Sequence, residues 1–386
     1  MDERLGRIAA KLAAAAARWA QYQDAFGVGE HRFRVRAPLG ESVVAEFEER
    51  HGVRLPEEFR SFLTVIGDGG GGPGYAMPSL ADACGRRCEV GHLTTPCPYL
   101  PGPRYPNGWA EAHEGPLLGG TLKVADHGCS LETRLIVTGA ARGRLFNLDV
   151  DGVGPYVVED PDFLAWYERW LDEVVEGCNV GWFGEKLPGG EQELVAILEG
   201  DPSPERRARA AGSIAALPRF GAATRAALVR AARQDQDPRV RAELLAPYRS
   251  KRLDVRPVTA DQVAAYARSE SVRNTVAALE ALQTIDQVTV ADLLSGLDAS
   301  DPAVRRVAVD LHFWVRSDAA ARHSVAARLE RLLDDPDRGI RSAAAAAARH
   351  YLAFGDLRPA LERRRLIETD RWVRWHIDNA LRREPG

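Results

Sequence analysis

The stretch GGTLKVADHGCSLETRLIVTGAARGRLFNLDVDGVGPYVVEDPDFLAWYERWL, residues 119–171, reads as a small sheet followed by the helix that covers it. Leu122 and Val124, then Leu135, Ile136 and Val137, are short aliphatic runs. Residues 139–144 are a turn, and Leu145, Phe146 and Leu148 form a third run. Asp151-Gly152 marks a hairpin corner before a fourth run, Tyr156, Val157 and Val158. The period then changes. Phe163, Trp166, Tyr167, Trp170, Leu171 and Val174 recur at three and four, which is one face of a helix. Hairpin-length turns between the runs predict a mostly antiparallel sheet.

Upstream, Val43, Val44, Phe47 and His51 keep helical spacing, and Gly52 is a stop. Leu55-Pro56 reads as an extended residue followed by proline at the first helical position. Phe59, Phe62, Leu63 and Ile66 then supply one apolar face. Gly67-Asp68-Gly69-Gly70-Gly71-Gly72-Pro73-Gly74 breaks that helix, and we expect a flexible turn into the sheet. The run has no following Gly-Lys-Ser/Thr and no preceding strand pattern, so it is not a nucleotide loop.

Four pieces together resemble the bacterial branch of the SUKH superfamily. They are Gly120-Thr121-Leu122-Lys123-Val124-Ala125-Asp126-His127-Gly128-Cys129, then Leu135-Ile136-Val137-Thr138-Gly139 with Arg142-Gly143-Arg144-Leu145, then Phe163 through Leu171, and upstream Val53-Arg54-Leu55-Pro56-Glu57-Glu58-Phe59 with its glycine-rich turn. The resemblance covers roughly residues 38–176. It implies an α+β domain. It also implies a function, since bacterial SUKH proteins are similar to immunity proteins that bind and block secreted polymorphic toxins, often nucleases. The fungal branch implies a regulatory interaction scaffold instead.

Length and composition bound the rest. A chain of 386 residues with 45% hydrophobic content has room for more than one domain and an ordinary soluble core. Met1-Asp2-Glu3-Arg4 is not a secretory start and no apolar run spans a bilayer, so a cytoplasmic protein without membrane contact is expected. Its five cysteines are then expected to be mostly reduced. Charge divides the chain. Residues 1–186 hold 19 Lys+Arg against 27 Asp+Glu, a net −8, and residues 187–386 hold 32 against 28, a net +4. Glycines and a proline crowd residues 177–189, which reads as a linker.

Beyond it the chain repeats. Asp237-Pro238-Arg239-Val240-Arg241 and Asp301-Pro302-Ala303-Val304-Arg305 are two copies of one helix start, with a longer variant from Asp335 to Arg341. Weaker copies begin at Asp201, Ser269 and Asp370. The aspartate caps the helix, proline suits its first position, the valine is buried, and the arginine reaches a partner in the neighbouring copy. A period of this kind means stacked helical hairpins. The copies resemble short HEAT-like repeats, which implies an all-α solenoid of six hairpins over residues 190–386. The arginines at 206, 241, 273, 305, 341 and 374 are read as structural rather than as a nucleic-acid stripe.

The candidate chemistry is thin. Cys84, Cys88, His92 and Cys97 are soft ligands in a short span, but their spacing fits no common zinc module, so no metal and no cofactor is expected. His127 and Cys129 lie in a strand-to-turn segment, where neighbours point to opposite sides, and are not read as a nucleophile pair. Trp166, Tyr167 and Trp170 are core. Trp182-Phe183 lies outside any period and either docks the two domains or marks a partner site. No active site assembles, so the chain reads as a non-enzymatic protein-binding molecule, with a toxin domain as partner. The contact groups are expected in the loops at 68–115: Asp68, Asp82, Glu89, Tyr99, Tyr105, Trp109, Glu111 and Glu114. The architecture expected is a SUKH-like α+β domain over 1–176, a linker, and a HEAT-like array over 190–386. The two rival readings are a regulatory adaptor without a toxin and a nucleic-acid-binding HEAT array.

Overall fold

In a computed structural model, which describes residues 3–84, 91–105, 118–149, 154–246, 252–315 and 317–382, the quoted stretch forms four strands in sequential antiparallel order. They are β1 (Thr121–Asp126), β2 (Leu131–Ile136), β3 (Leu145–Asp149) and β4 (Tyr156–Val157). Residues 150–153, with the expected hairpin corner, lie outside the described residues. The two-residue alternation sorts the side chains. Leu122, Val124, Leu135 and Leu145 join one apolar cluster, while Ile136, Phe146, Leu148 and Val157 join another on the opposite face.

Among the described residues, five α-helices precede the sheet: α1 (Glu3–Ala17), α2 (Val28–His31), α3 (Glu41–His51), α4 (Glu57–Val65) and α5 (Leu80–Ala83). The helix that follows it, α6 (Phe163–Glu176), is capped by Asp162, whose carboxylate accepts from Ala165 N at 2.9 Å. Its apolar stripe, Phe163, Trp166, Tyr167, Trp170 and Leu171, is fully buried. The stripe packs edge-on against Phe59 and Phe62 of α4, and α1 lies against the same helix. Pro56 sits one place earlier than expected, at the cap rather than the first helical position.

The glycine run at 67–74 is not a flexible turn. Gly70 bridges both Val35 and Met77, and Gly71 N donates to Arg34 O at 2.7 Å. A Cβ on Gly74, at φ +77°, would stand 2.0 Å from Asp126 O. Backbone passes where side chains would be, so the run is a packed crossing.

The chain divides into two compact units, residues 1–194 with 213–220, and residues 195–212 with 221–386; the expected linker 177–189 falls inside the first. Helices α7 (Glu191–Gly200) and α8 (Pro204–Ala216) are followed by α9 (Ala222–Gln234), α10 (Pro238–Leu245), α11 (Ala260–Ala267), α12 (Val276–Thr284), α13 (Val290–Leu297), α14 (Pro302–Asp310), α15 (Ala319–Leu332), α16 (Arg338–Ala348), α17 (Leu357–Ile367) and α18 (Arg371–Leu381). Among the described residues the second unit contains no strand. Helices α10, α12, α14, α16 and α18 pack successively on one another, and α13, α15 and α17 form a second row.

The repeated helix start has a definite mechanism here. Asp237, Asp301, Asp337 and Asp370 cap α10, α14, α16 and α18 with their carboxylates. The arginine four places on turns back to the carbonyls ahead of its own cap, Arg305 to Ala299 and Ser300, Arg341 to Asp335 and Pro336. Arg305 and Arg341 also clamp a carboxylate two places before the next cap, as Arg207 does four places after Ser203, whereas Arg241 lies over the Tyr266 ring. These clamps are Arg207–Asp235 at 2.8 Å, Arg305–Asp335 at 2.9 Å and Arg341–Glu368 at 2.9 Å.

The register differs from expectation at three copies; in the fifth, Asp337 rather than Asp335 caps the helix. In the first, Arg207 and not Arg206 makes the clamp, because Arg206 folds onto Asp201. In the third, Ser269 to Arg273 is a turn. Asn274 adopts φ 58° and Thr275 caps α12. The α12–α14 junction accordingly has Leu279 and Ala299 in the two clamp positions, so neither partner is stranded.

Candidate protein-binding site

The residues expected to make contact separate into groups. Asp68 and Asp82 come together at the start of α5. Asp68 Oδ1 accepts from Leu80 N at 2.6 Å, and Asp82 Oδ2 accepts from the Ser79 hydroxyl at 2.6 Å. Both carboxylates therefore fasten a short helix. Tyr99 is a correction: it is fully buried, with its ring 4.7 Å from Phe146 and 5.4 Å from Tyr105, so it belongs to the core on the far face of the sheet. Tyr105 is half-buried and its hydroxyl accepts from Leu100 N at 2.8 Å. Glu89, Trp109, Glu111 and Glu114 lie outside the described residues.

Cys84 is disulfide-bonded, against the expectation of a reduced thiol there, and Cys88 lies outside the described residues. Cys97 is buried, which raises its thiol to about 11. Among the described residues no three His, Cys, Asp or Glu side chains converge as metal ligands would.

A different group is built on the first unit. Trp182 and Phe183 part company. Phe183 is fully buried, packed on Trp166 with the Arg169 guanidinium 4.0 Å above its ring. Trp182, at φ 58°, turns outward and is 53% exposed. A left-handed, bulky, exposed residue is costly and marks a place where local strain is retained. Gly181 lies beside Phe26, whose ring is 5.0 Å from that of Tyr75, itself 47% exposed. Tyr75 in turn lies against Gly128, next to exposed Cys129 at the β1–β2 corner. Phe26, Tyr75 and Cys129 thus follow one another on the first unit, with exposed Trp182 next in sequence to the Gly181 that approaches Phe26, and exposed Asp24 two residues from Phe26. The lone Trp182 outside any period was the one signal of this group in the sequence; Phe26 and Tyr75 gave none, because only the glycine crossing brings them together.

A buried polar chain starts at neighbouring His127. The Thr133 hydroxyl donates to Asn147 Oδ1 at 2.7 Å, so it must accept from His127 Nε2 at 2.8 Å. Asn147 Nδ2 donates to the Tyr156 hydroxyl at 3.3 Å, which donates to Gly184 O. His127 Nδ1 is left as a buried lone pair. Burial holds this histidine neutral, at about 4. No hydrogen bond joins it to Cys129, and the chain of donors ends on backbone, so it is structural and not a proton relay.

A cavity of about 440 Å³ lies along the outer side of α6, lined by Glu168, Asp172, Glu173, Lys186 and Ser213. Three of its carboxylates are engaged internally, Glu168 and Asp172 by Lys11 and Glu173 by Arg169 at 2.7 Å, while Glu176 also lines it. Burial nonetheless raises the Glu173 carboxyl.

Among the described residues no helix is long and apolar enough to cross a membrane. Compared with models of known families, with curated proteins and with solved structures, the chain matches none.

Proposed function

We propose that the first unit is a SUKH-like domain, the second a HEAT-like array, and the whole chain a non-enzymatic immunity protein. On this reading it neutralises a polymorphic toxin, nucleases being one class, by direct binding inside the cell that makes both. The observation that supports the reading most is the exposure of Tyr75, packed on Phe26, and of Trp182, on the half of the chain with a net charge of −8. Aromatic groups on a surface depleted of compensating charge are what protein hot spots are made of. The negative half would speed the approach of a basic toxin. The resemblance over residues 38–176 gives the class of partner.

The full chain is to be co-produced with the toxin domain encoded beside it, and the complex measured with Trp182→Ala and Tyr75→Ala variants. Protection by the native chain is expected, with each variant binding about tenfold to a hundredfold more weakly. Association is expected to slow as salt rises. Absence of protection, or binding that ignores both substitutions, rejects the reading.

A further inference from the structure

Helix α18 offers the outer side of a junction that the second unit repeats elsewhere. Counting from the capping aspartates, Arg371 and Arg374 occupy the places held in α16 by Arg338 and Arg341. In α16 both arginines reach the next helix start, Arg338 to the capping Asp370 at 3.0 Å and Arg341 to Glu368 at 2.9 Å. Arg371 and Arg374 are exposed, and neither guanidinium has a hydrogen bond or ion pair among the described residues. The intervening places differ as well. Where α16 has Gly339 and Ser342, α18 has Trp372 and Trp375, 43% and 50% exposed, with rings 6.4 Å apart. Leu366, standing where Leu333 is buried, is 87% exposed. This face presents tryptophan and arginine, residue types enriched at protein hot spots, beside an exposed leucine.

We propose that this face docks a partner protein through a helix start of the form acid-x-Asp. The chemistry is that of the internal junctions. Asp235-Gln236-Asp237, Asp335-Pro336-Asp337 and Glu368-Thr369-Asp370 each place one carboxylate two residues before a capping aspartate, and each meets an arginine of the preceding helix. Arg374 takes the first carboxylate of the incoming start and Arg371 takes the capping one. The two indoles cover the incoming turn and keep water from the ion pairs. A second copy of the chain is a poorer occupant, because its own three starts of this form are already clamped by Arg207, Arg305 and Arg341. The proposal does not rest on toxin binding by the first unit.

The test uses the full chain and a synthetic peptide of residues 333–348, which carries the Asp335-Pro336-Asp337 start, followed by calorimetry and by the fluorescence of the exposed indoles. The control peptide replaces both aspartates with asparagine. Saturable binding of the first peptide is expected. It should be at least about tenfold weaker for the control peptide and for the Arg371→Ala/Arg374→Ala chain, and should weaken with salt. Both arginines are exposed, so the variant is expected to keep the native melting temperature. No saturation by about 1 mM peptide overturns the proposal, as does equal binding by the control peptide or by the variant. Sedimentation that reports self-association abolished by Trp372→Ala/Trp375→Ala also overturns it, by assigning the face to a second copy.

Discussion

Arg341 holds Glu368 with two nitrogens, Nε to Oε2 at 2.9 Å and Nη2 to Oε1 at 3.3 Å, while Arg364 closes on the same carboxylate from α17. The Glu368 side chain is 1% exposed, and its Oε1 also accepts from Thr369 N and Asp370 N. Burial alone would raise this carboxyl, but the two arginines and the backbone donors outweigh it and hold the group at about 2.

The first prediction follows from that pair. Its folded pKa lies below the ordinary glutamate value, so the stability it contributes is present above about 4.3 and is lost as pH falls toward 2. Glu368→Gln should cost about 3 kcal/mol at neutral pH, because it leaves two guanidinium groups without their charge partner. Denaturant melts at pH 7 and pH 3 test this. The native and variant proteins should converge at the lower pH, and a constant difference would count against the clamp.

A second prediction concerns histidine. His31, His127 and His312 are each buried and held neutral at about 4, with burial the first cause. The unfolded chain binds their protons near 6.5 and the folded chain only near 4, so stability falls as pH drops through that window. Each histidine contributes a slope of about 1.4 kcal/mol per pH unit there. His312→Phe should remove one such slope; a melt profile unchanged between pH 6.5 and 4 would contradict the assignment.

The buried chain that starts at His127 makes a third prediction. Thr133→Val keeps the shape but strands His127 Nε2–H and Asn147 Oδ1, at about 1–3 kcal/mol for each group left unsatisfied. Nitrogen NMR should find the His127 proton on Nε2 in the native protein. A proton on Nδ1 would reverse the donor order argued above.

The glycine crossing gives a fourth. A Cβ on Gly27, at φ +81°, would lie 1.7 Å from Gly74 O, and neither backbone has room to withdraw. Gly27→Ala should therefore prevent stable folding of the first unit. Gly200, at the end of α7, meets nothing within 4 Å, and Gly200→Ala should stabilise by about 0.5–1 kcal/mol. Circular dichroism melts of the two variants distinguish them.

The four strands and α6 were legible because their periods are unmixed: two along Leu122 and Val124, three and four from Phe163 to Val174. The helix starts at Asp237, Asp301 and Asp370 were legible because capping is local chemistry. The start at 269–273 misled, since Ser269 and Arg273 match the pattern while Asn274 and Thr275 set the true boundary. Tyr99 misled for a different reason. It lies in a loop, and a loop residue can still be plugged into the back of a sheet, which depends on Phe146 nearly fifty positions away. The meeting of Phe26 and Tyr75 was invisible for the same reason.

The α12–α14 junction, where Leu279 and Ala299 stand in place of a clamp, has a bearing on cooperativity. In an array coupled only between neighbours, the whole melts as one when every coupling is strong, and parts where one is weak. Here Gly296 lets α13 approach Ala308 and Leu279 closely, so apolar contact stands where the other junctions have an ion pair. Amide hydrogens of α14 to α18 should therefore exchange as one block, slower than and independent of those in α11 and α12. The second unit would open from this seam inward rather than fray evenly from its ends.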